Sequence, residues 1–138
     1  DPQARHLIWF KIKELQKQGV TVILTTHYMD EAAQLCDRIL IMDHGKIIEK
    51  GKPAELVEKH VGYEVLEALH SEEAMQCLKE AFPDARIDIV NDKIQLFANN
   101  PRGVLSETLG KISFKGGIIR DSNLEDVFLK LAGRSLKD

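Results

Sequence analysis

One histidine stands where a chain can do chemistry. His27 lies in Thr25-Thr26-His27-Tyr28-Met29-Asp30-Glu31-Ala32, directly after the apolar run Val20–Leu24. A β-branched run that opens into a polar turn and then an amphipathic helix puts the imidazole at a strand's carboxyl end. That is where open α/β sheets hold their ligands. An imidazole there can contact a bound ligand. The position suits equally a turn histidine bonded to backbone, and the residues alone leave both readings open. Thr25 and Thr26 suit capping of the following helix. Asp30 and Glu31 fall in that helix's first turn, favour its dipole, and read as a solvated helix start rather than as catalytic carboxylates.

Other chemistries are excluded by pattern. There is no G-x-x-x-x-G-K-[ST] and no G-x-G-x-x-G, so no phosphate cradle is encoded. Gly116-Gly117 reads as a bulge within a strand. No H-E-x-x-H or C-x-x-C spacing points to a metal site. His6, His44, His60 and His70 sit in separate elements and read as surface or turn residues. Nothing places a nucleophile near His27, so no Ser/His/Asp set can be argued. Cys36 and Cys77 read as reduced, small hydrophobic residues on two different helices. Of the adjacent Trp9 and Phe10, one is expected to face the core and the other to be partly exposed.

The bulk numbers bound the class. The chain has 138 residues, enough for one domain or two small ones. Apolar content is 43% and charged content 30%, which fits a folded globular chain. A net charge of −3 gives no basic field for nucleic acid. No apolar run reaches the roughly 20 residues that span a bilayer. The opening Asp-Pro does not read as a secretory leader.

The elements that must position His27 follow from periodicity. Residues 2–18 read as a helix, capped by Asp1, with Pro2 in its first turn and Gly19 at its end. Ala4, Leu7, Ile8, Ile12 and Leu15 form its inward face. Residues 20–25 read as a strand covered on both faces, and Arg38–Met42 as a second one. Between them, 29–36 is a short helix. Asp43-His44-Gly45 turns the chain into a third strand, Lys46–Lys50, and Pro53–Lys59 is a helix. After His60–Gly62 the order changes. Strands are expected at Tyr63–Leu69, Arg86–Val90, Lys93–Ala98 and Ser113–Arg120. Helices are expected from Ser71 to Phe82, after Asn100-Pro101, and from a capping box at Ser122-Asn123-Leu124-Glu125, the last ending at Gly133.

The second part thus reads β-α-β-β-α-β plus a terminal helix, the split βαβ or ferredoxin-like order. The first part has two strongly apolar strands with no partners of its own to cover them. This leaves edges and faces that something outside the chain must complete. The overall expectation is an α/β (α+β) protein with a division into residues 1–60 and 61–138.

Residues 1–60 resemble the carboxyl end of an ABC transporter ATP-binding subunit. Asp1-Pro2-Gln3-Ala4-Arg5 is similar to that family's D-loop, and Thr25-Thr26-His27 to its H-loop or switch histidine. Asp30-Glu31-Ala32 continues the match, as do Cys36-Asp37-Arg38-Ile39, Ile41-Met42, Asp43-His44-Gly45-Lys46-Ile47 and Gly51-Lys52-Pro53. Asn123-Leu124-Glu125-Asp126-Val127-Phe128-Leu129 resembles the ending of an accessory domain carried by exporter-type subunits.

The resemblance implies an ATP-binding fold of the P-loop NTPase type, of which 1–60 is the closing portion, followed by a ferredoxin-like accessory domain. It implies that His27 contacts the γ-phosphate and the attacking water, and that Asp1 lies at the interface of a two-subunit nucleotide sandwich. ATP and Mg would be the cofactors of the intact protein. A transmembrane permease subunit and a second ATP-binding subunit would be its partners, at the inner face of the plasma membrane. The family's Walker A, signature and Walker B motifs do not occur in these residues, so the chain alone is expected to be inactive. Two rival readings are a free-standing ferredoxin-like binding module and a purely structural dimerisation unit.

Overall fold

The computed structural model describes residues 1–112, 114 and 116–133. The first helix, α1 (Pro2–Lys17), starts at Asp1, whose carboxylate accepts from the Gln3 N–H at 3.1 Å. The helix starts as expected and ends one residue before the expected 18, but its expected apolar face is not covered. None of its residues is buried, and Leu7 and Ile8 stay 70% and 60% exposed. Trp9 is half-buried and Phe10 exposed.

The expected strand at 20–25 does not form. Residues 20–26 carry no regular structure, and neither sheet of the molecule includes them. The physical reason is that a strand is made by its neighbour's ladder of hydrogen bonds, and none of the described residues supplies that neighbour. Helix α2 (Met29–Leu35) follows, burying Ala32 and Leu35. Strands β1 (Ile39–Asp43) and β2 (Lys46–Gly51) then form an antiparallel hairpin. Its two-residue turn has φ of 50° at His44 and 76° at Gly45, the left-handed pair that matches the twist of a hairpin. β1 is covered on one face only, contrary to expectation: Ile39 and Ile41 are buried, while Leu40 and Met42 are half or more exposed. A two-stranded ribbon packed on one side leaves its alternate residues to solvent. Helix α3 (Pro53–His60) closes this region, with Leu56 buried.

The remainder is a four-stranded antiparallel sheet with helices on both faces. It comprises β3 (Glu64–Leu69), α4 (Glu72–Ala81), β4 (Arg86–Val90), β5 (Lys93–Ala98), α5 (Val104–Lys111), β6 (Gly117–Asp121) and α6 (Leu124–Ala132). The strand order is β4-β5-β3-β6. Asn91 and Asp92, both at positive φ, make the two-residue turn between β4 and β5. Ser71 caps α4 by accepting from the Ala74 N–H at 3.0 Å. Helix α5 starts later than Asn100-Pro101 suggests, with Gly103 as its cap at φ of 90°. The expected strand over Ser113–Arg120 is present from Gly117, and Ser113 and Lys115 lie outside the described residues.

The capping box of α6 sits one residue beyond the expected one. Asn123 accepts from the Asp126 N–H at 3.0 Å, and the Asp126 carboxylate accepts from the Asn123 N–H at 2.9 Å. Ser122 is otherwise engaged, its hydroxyl donating to the Gly62 carbonyl.

Two cores result. One face of the sheet sends Leu66, Ile94 and Leu96 against Leu78 and Phe82 of the α4 segment and Leu105 and Leu109 of α5. On the other core, Val65 and Phe97 join Leu124, Val127 and Phe128 of α6. The same cluster takes in Ala32, Ile39, Ile41, Leu56 and Val61 from the first half of the chain. Each such side chain, taken fully out of water, contributes roughly 1.5–3 kcal/mol before entropy is counted.

Candidate functional site

His27 is exposed at the end of the unpaired segment. Its ring lies 4.1 Å from the Tyr28 ring, tilted by 35°. The turn behind it is held locally: the Thr26 hydroxyl accepts from the Tyr28 N–H at 3.0 Å. Tyr28 is the N-cap residue of α2 and offers no side-chain cap, so the capping expected of Thr25 and Thr26 is replaced by this threonine turn.

Helices α1 and α2 are pinned to each other around this turn. The Arg5 guanidinium donates to Asp30 at 2.8 Å, and it lies 4.8 Å from the Trp9 ring centre and 5.2 Å from that of Tyr28. The Trp9 indole N–H donates to Glu31 at 2.9 Å, and the Gln16 amide donates to the Leu35 carbonyl at 2.9 Å. Stacking of the cation on aromatic faces contributes about 0.5–1 kcal/mol at such a site. Asp1 is one helical turn before Arg5, whose N–H donates to the Asp1 carbonyl at 3.0 Å. Arg5, in the second turn of α1, thus ties that helix to the start of α2. Glu31 departs from the expected solvated helix start: its side chain is only 17% exposed and is bonded to Trp9.

The site is a surface, not a cavity. Two hollows, of about 400 Å³ along α4 and about 610 Å³ beside β4, are lined by other residues. Among the described residues no three His, Cys, Asp or Glu side chains gather as a metal-holding group. Cys36 and Cys77 are free thiols. Burial, then the negative charges of Asp37 and Glu31, push the Cys36 thiol above its ordinary range.

A second polar cluster was not legible in the sequence. Arg120 on β6 donates through both terminal nitrogens to Asp126, each at 2.8 Å, and through Nε to Glu67 on β3. Asp126 is 2% exposed, the buried charged residue of the described core. Its carboxylate bonds hold the Arg120 guanidinium more firmly protonated than usual. Spacing alone could not pair residues from a strand and a following helix, and the capping box expected at Ser122 and Glu125 did not involve Asp126. A third cluster joins Glu49 on β2 to His60 and Lys59 on α3. The Lys50 N–H, then the His60 ring, hold the Glu49 carboxyl down at about 2.

Comparison with known proteins gives these surfaces a context. No family model matches the chain. The chain aligns end to end with Nod factor export ATP-binding protein I of Mesorhizobium japonicum, at 37% identity over 139 residues and 40% of that protein's length. The protein of the same name from Cupriavidus metallidurans is 38% identical over 143 residues, with 45% of its length covered. That from Sinorhizobium fredii is 36% identical over 139 residues, with 40% covered. The chain thus spans less than half the length of these relatives. Over all of its own length it is homologous to ATP-binding subunits of ABC transporters of the export type.

Proposed function

We propose that this chain serves, within a longer subunit, to couple ATP hydrolysis to transport across a membrane, in the export direction that its relatives' name indicates. Residues 1–60 would be the closing portion of the ATP-binding domain and residues 61–138 an accessory ferredoxin-like domain. The split βαβ connectivity with strand order β4-β5-β3-β6 supports the second assignment.

The observation that carries the proposal is the pairing of an open apolar ribbon with an exposed histidine at its end. Ile23 is 92% exposed and Val20 45%, an arrangement that water disfavours and that a neighbouring strand would relieve. With that strand in place, His27 would stand at the carboxyl edge of a sheet, where a nucleotide's terminal phosphate can be met.

In this reading His27 donates to the γ-phosphate and orients the attacking water. A fixed donor aimed at the charge that develops during phosphoryl transfer lowers the barrier without having to act as a base. Asp1, the N-cap of α1, would lie at the face where a second ATP-binding subunit closes over the nucleotide. Magnesium, held by residues outside this stretch, would supply neutralisation of the phosphate charge. A transmembrane permease subunit would receive the motion, and the assembly would sit peripherally at the inner face of the plasma membrane. Among the described residues no helix is long and apolar enough to cross a membrane. Nucleic acid is not an expected partner.

The 138 residues alone should neither bind MgATP tightly nor hydrolyse it, since the phosphate-gripping motifs are not among them. The test is His27→Ala in the longer subunit. Turnover should fall on the order of 100-fold while MgATP affinity, measured by calorimetry, stays near that of the parent. Undiminished turnover would remove His27 from the mechanism.

A further inference from the structure

The turn that carries His27 is continuous with α2, and α2 has two kinds of attachment. Toward α1 the attachments are polar and partly wet: Arg5 with Asp30, whose side chain is 67% exposed, Trp9 with Glu31, and Gln16 with Leu35. Toward the rest of the molecule the attachment is apolar and dry. Met29, Ala32 and Cys36, at i, i+3 and i+7, lie in one cluster with Leu124, Val127, Phe128 and Leu131 of α6. Ala32 is 7% exposed, and Val127 and Phe128 are 0% and 1% exposed.

Helix α6 is itself moored at both ends. At its start the Arg120 fork binds Asp126 and reaches across to Glu67 on β3, and Ser122 bonds the Gly62 carbonyl. Near its end the Lys130 ammonium donates to the His60 carbonyl at 2.7 Å. A helix fixed in this way cannot slide without breaking charge-assisted bonds. Packed interfaces between helices shift between discrete arrangements rather than deforming smoothly.

We propose that α6 is the seat that holds the His27 turn in place, with Val127 and its neighbours acting as positioning residues for that histidine through α2. The proposal rests on the role assigned to His27 above. It makes the sheet region an adjuster of the hydrolytic geometry, since whatever displaces α6 displaces the helix that begins two residues after the imidazole. A misplacement of about 1 Å of a positioned group is enough to cost on the order of 100-fold in rate.

The test compares two equally buried residues on opposite cores. In the longer subunit, Val127→Ala and Ala32→Leu should lower kcat at least about fivefold while leaving the KM for ATP within about twofold. Leu78→Ala, 0% exposed but in the other core, should leave kcat within about twofold. In the 138-residue chain, hydrogen exchange of the α2 amides 32–36, whose ladder begins with the Ala32 N–H donating to the Tyr28 carbonyl, should quicken at least about tenfold in Val127→Ala and stay unchanged in Leu78→Ala. If Val127→Ala does not fold, Leu131→Ala on the same face carries the comparison. Unchanged kcat and unchanged exchange in a folded variant would overturn the seat. If exchange quickens as expected but His27→Ala keeps full turnover, the assignment of His27 fails instead, and the proposal falls with it.

Discussion

Residues 20–26 and residues 64–69 make an instructive pair. By composition the first is the better strand: Val20-Thr21-Val22-Ile23-Leu24 is almost wholly β-branched, whereas Glu64-Val65-Leu66-Glu67-Ala68-Leu69 has a single β-branched residue and two glutamates. Yet only the second is a strand. β3 lies between β5 and β6, with Val65 and Leu66 at 0% exposure. The first segment pairs with nothing described, and Ile23 stands 92% exposed. Strand propensity is mostly a statement about fitting a half-buried pleated surface, so it has no force where that surface is missing. The ribbon with the stronger preference is thus the one whose sheet is not supplied by the described residues.

This contrast can be put to numbers. Leu66→Ala should lose about 2–5 kcal/mol by equilibrium urea unfolding, because it empties a closed core. Next in size is Arg120→Met, which leaves the Asp126 carboxylate buried without its cation and removes the bond to Glu67 on β3. A cost of about 3 kcal/mol is expected in the same assay. Ile23→Ala should change stability by less than about 0.5 kcal/mol, as for any exposed surface position. A large loss at Ile23 would mean that the ribbon is already packed in this chain. A small loss at Leu66 would mean that the sheet core is loose.

The elements legible in the sequence were those whose signal is local. β4 and β5 have the expected bounds because alternation of Ile87, Ile89, Ile94 and Leu96 and the Asn91-Asp92 turn act over a dozen residues. The same holds for Ser71 capping α4 and for Gly133, at φ of 72°, ending α6. What was not legible depends on distant partners. The periodicity of α1 gives it an inward-type face, but periodicity cannot say whether a covering surface exists. Ser122 and Glu125 match the usual capping-box pattern, one residue before the box that α6 adopts. In the fold Ser122 is drawn away by Gly62, sixty residues earlier.

For the site, His27 stood out by its position after an apolar run, and the structure leaves it exposed. Its surroundings were hidden: Arg5, Trp9 and Glu31 come together only when α1 and α2 dock. The seat under α2 was hidden for the same reason, since Ala32 and Val127 enter one apolar cluster from nearly opposite ends of the chain.

The central claim is that residues 20–26 are a strand whose neighbours belong to the rest of a longer subunit, with His27 at its working end. Hydrogen exchange of those amides, measured in the 138-residue chain and again in the longer subunit, tests it most directly. The account predicts near-free exchange in the first and protection on the order of 100-fold or more in the second. Equal protection in both, or free exchange in both, would contradict it.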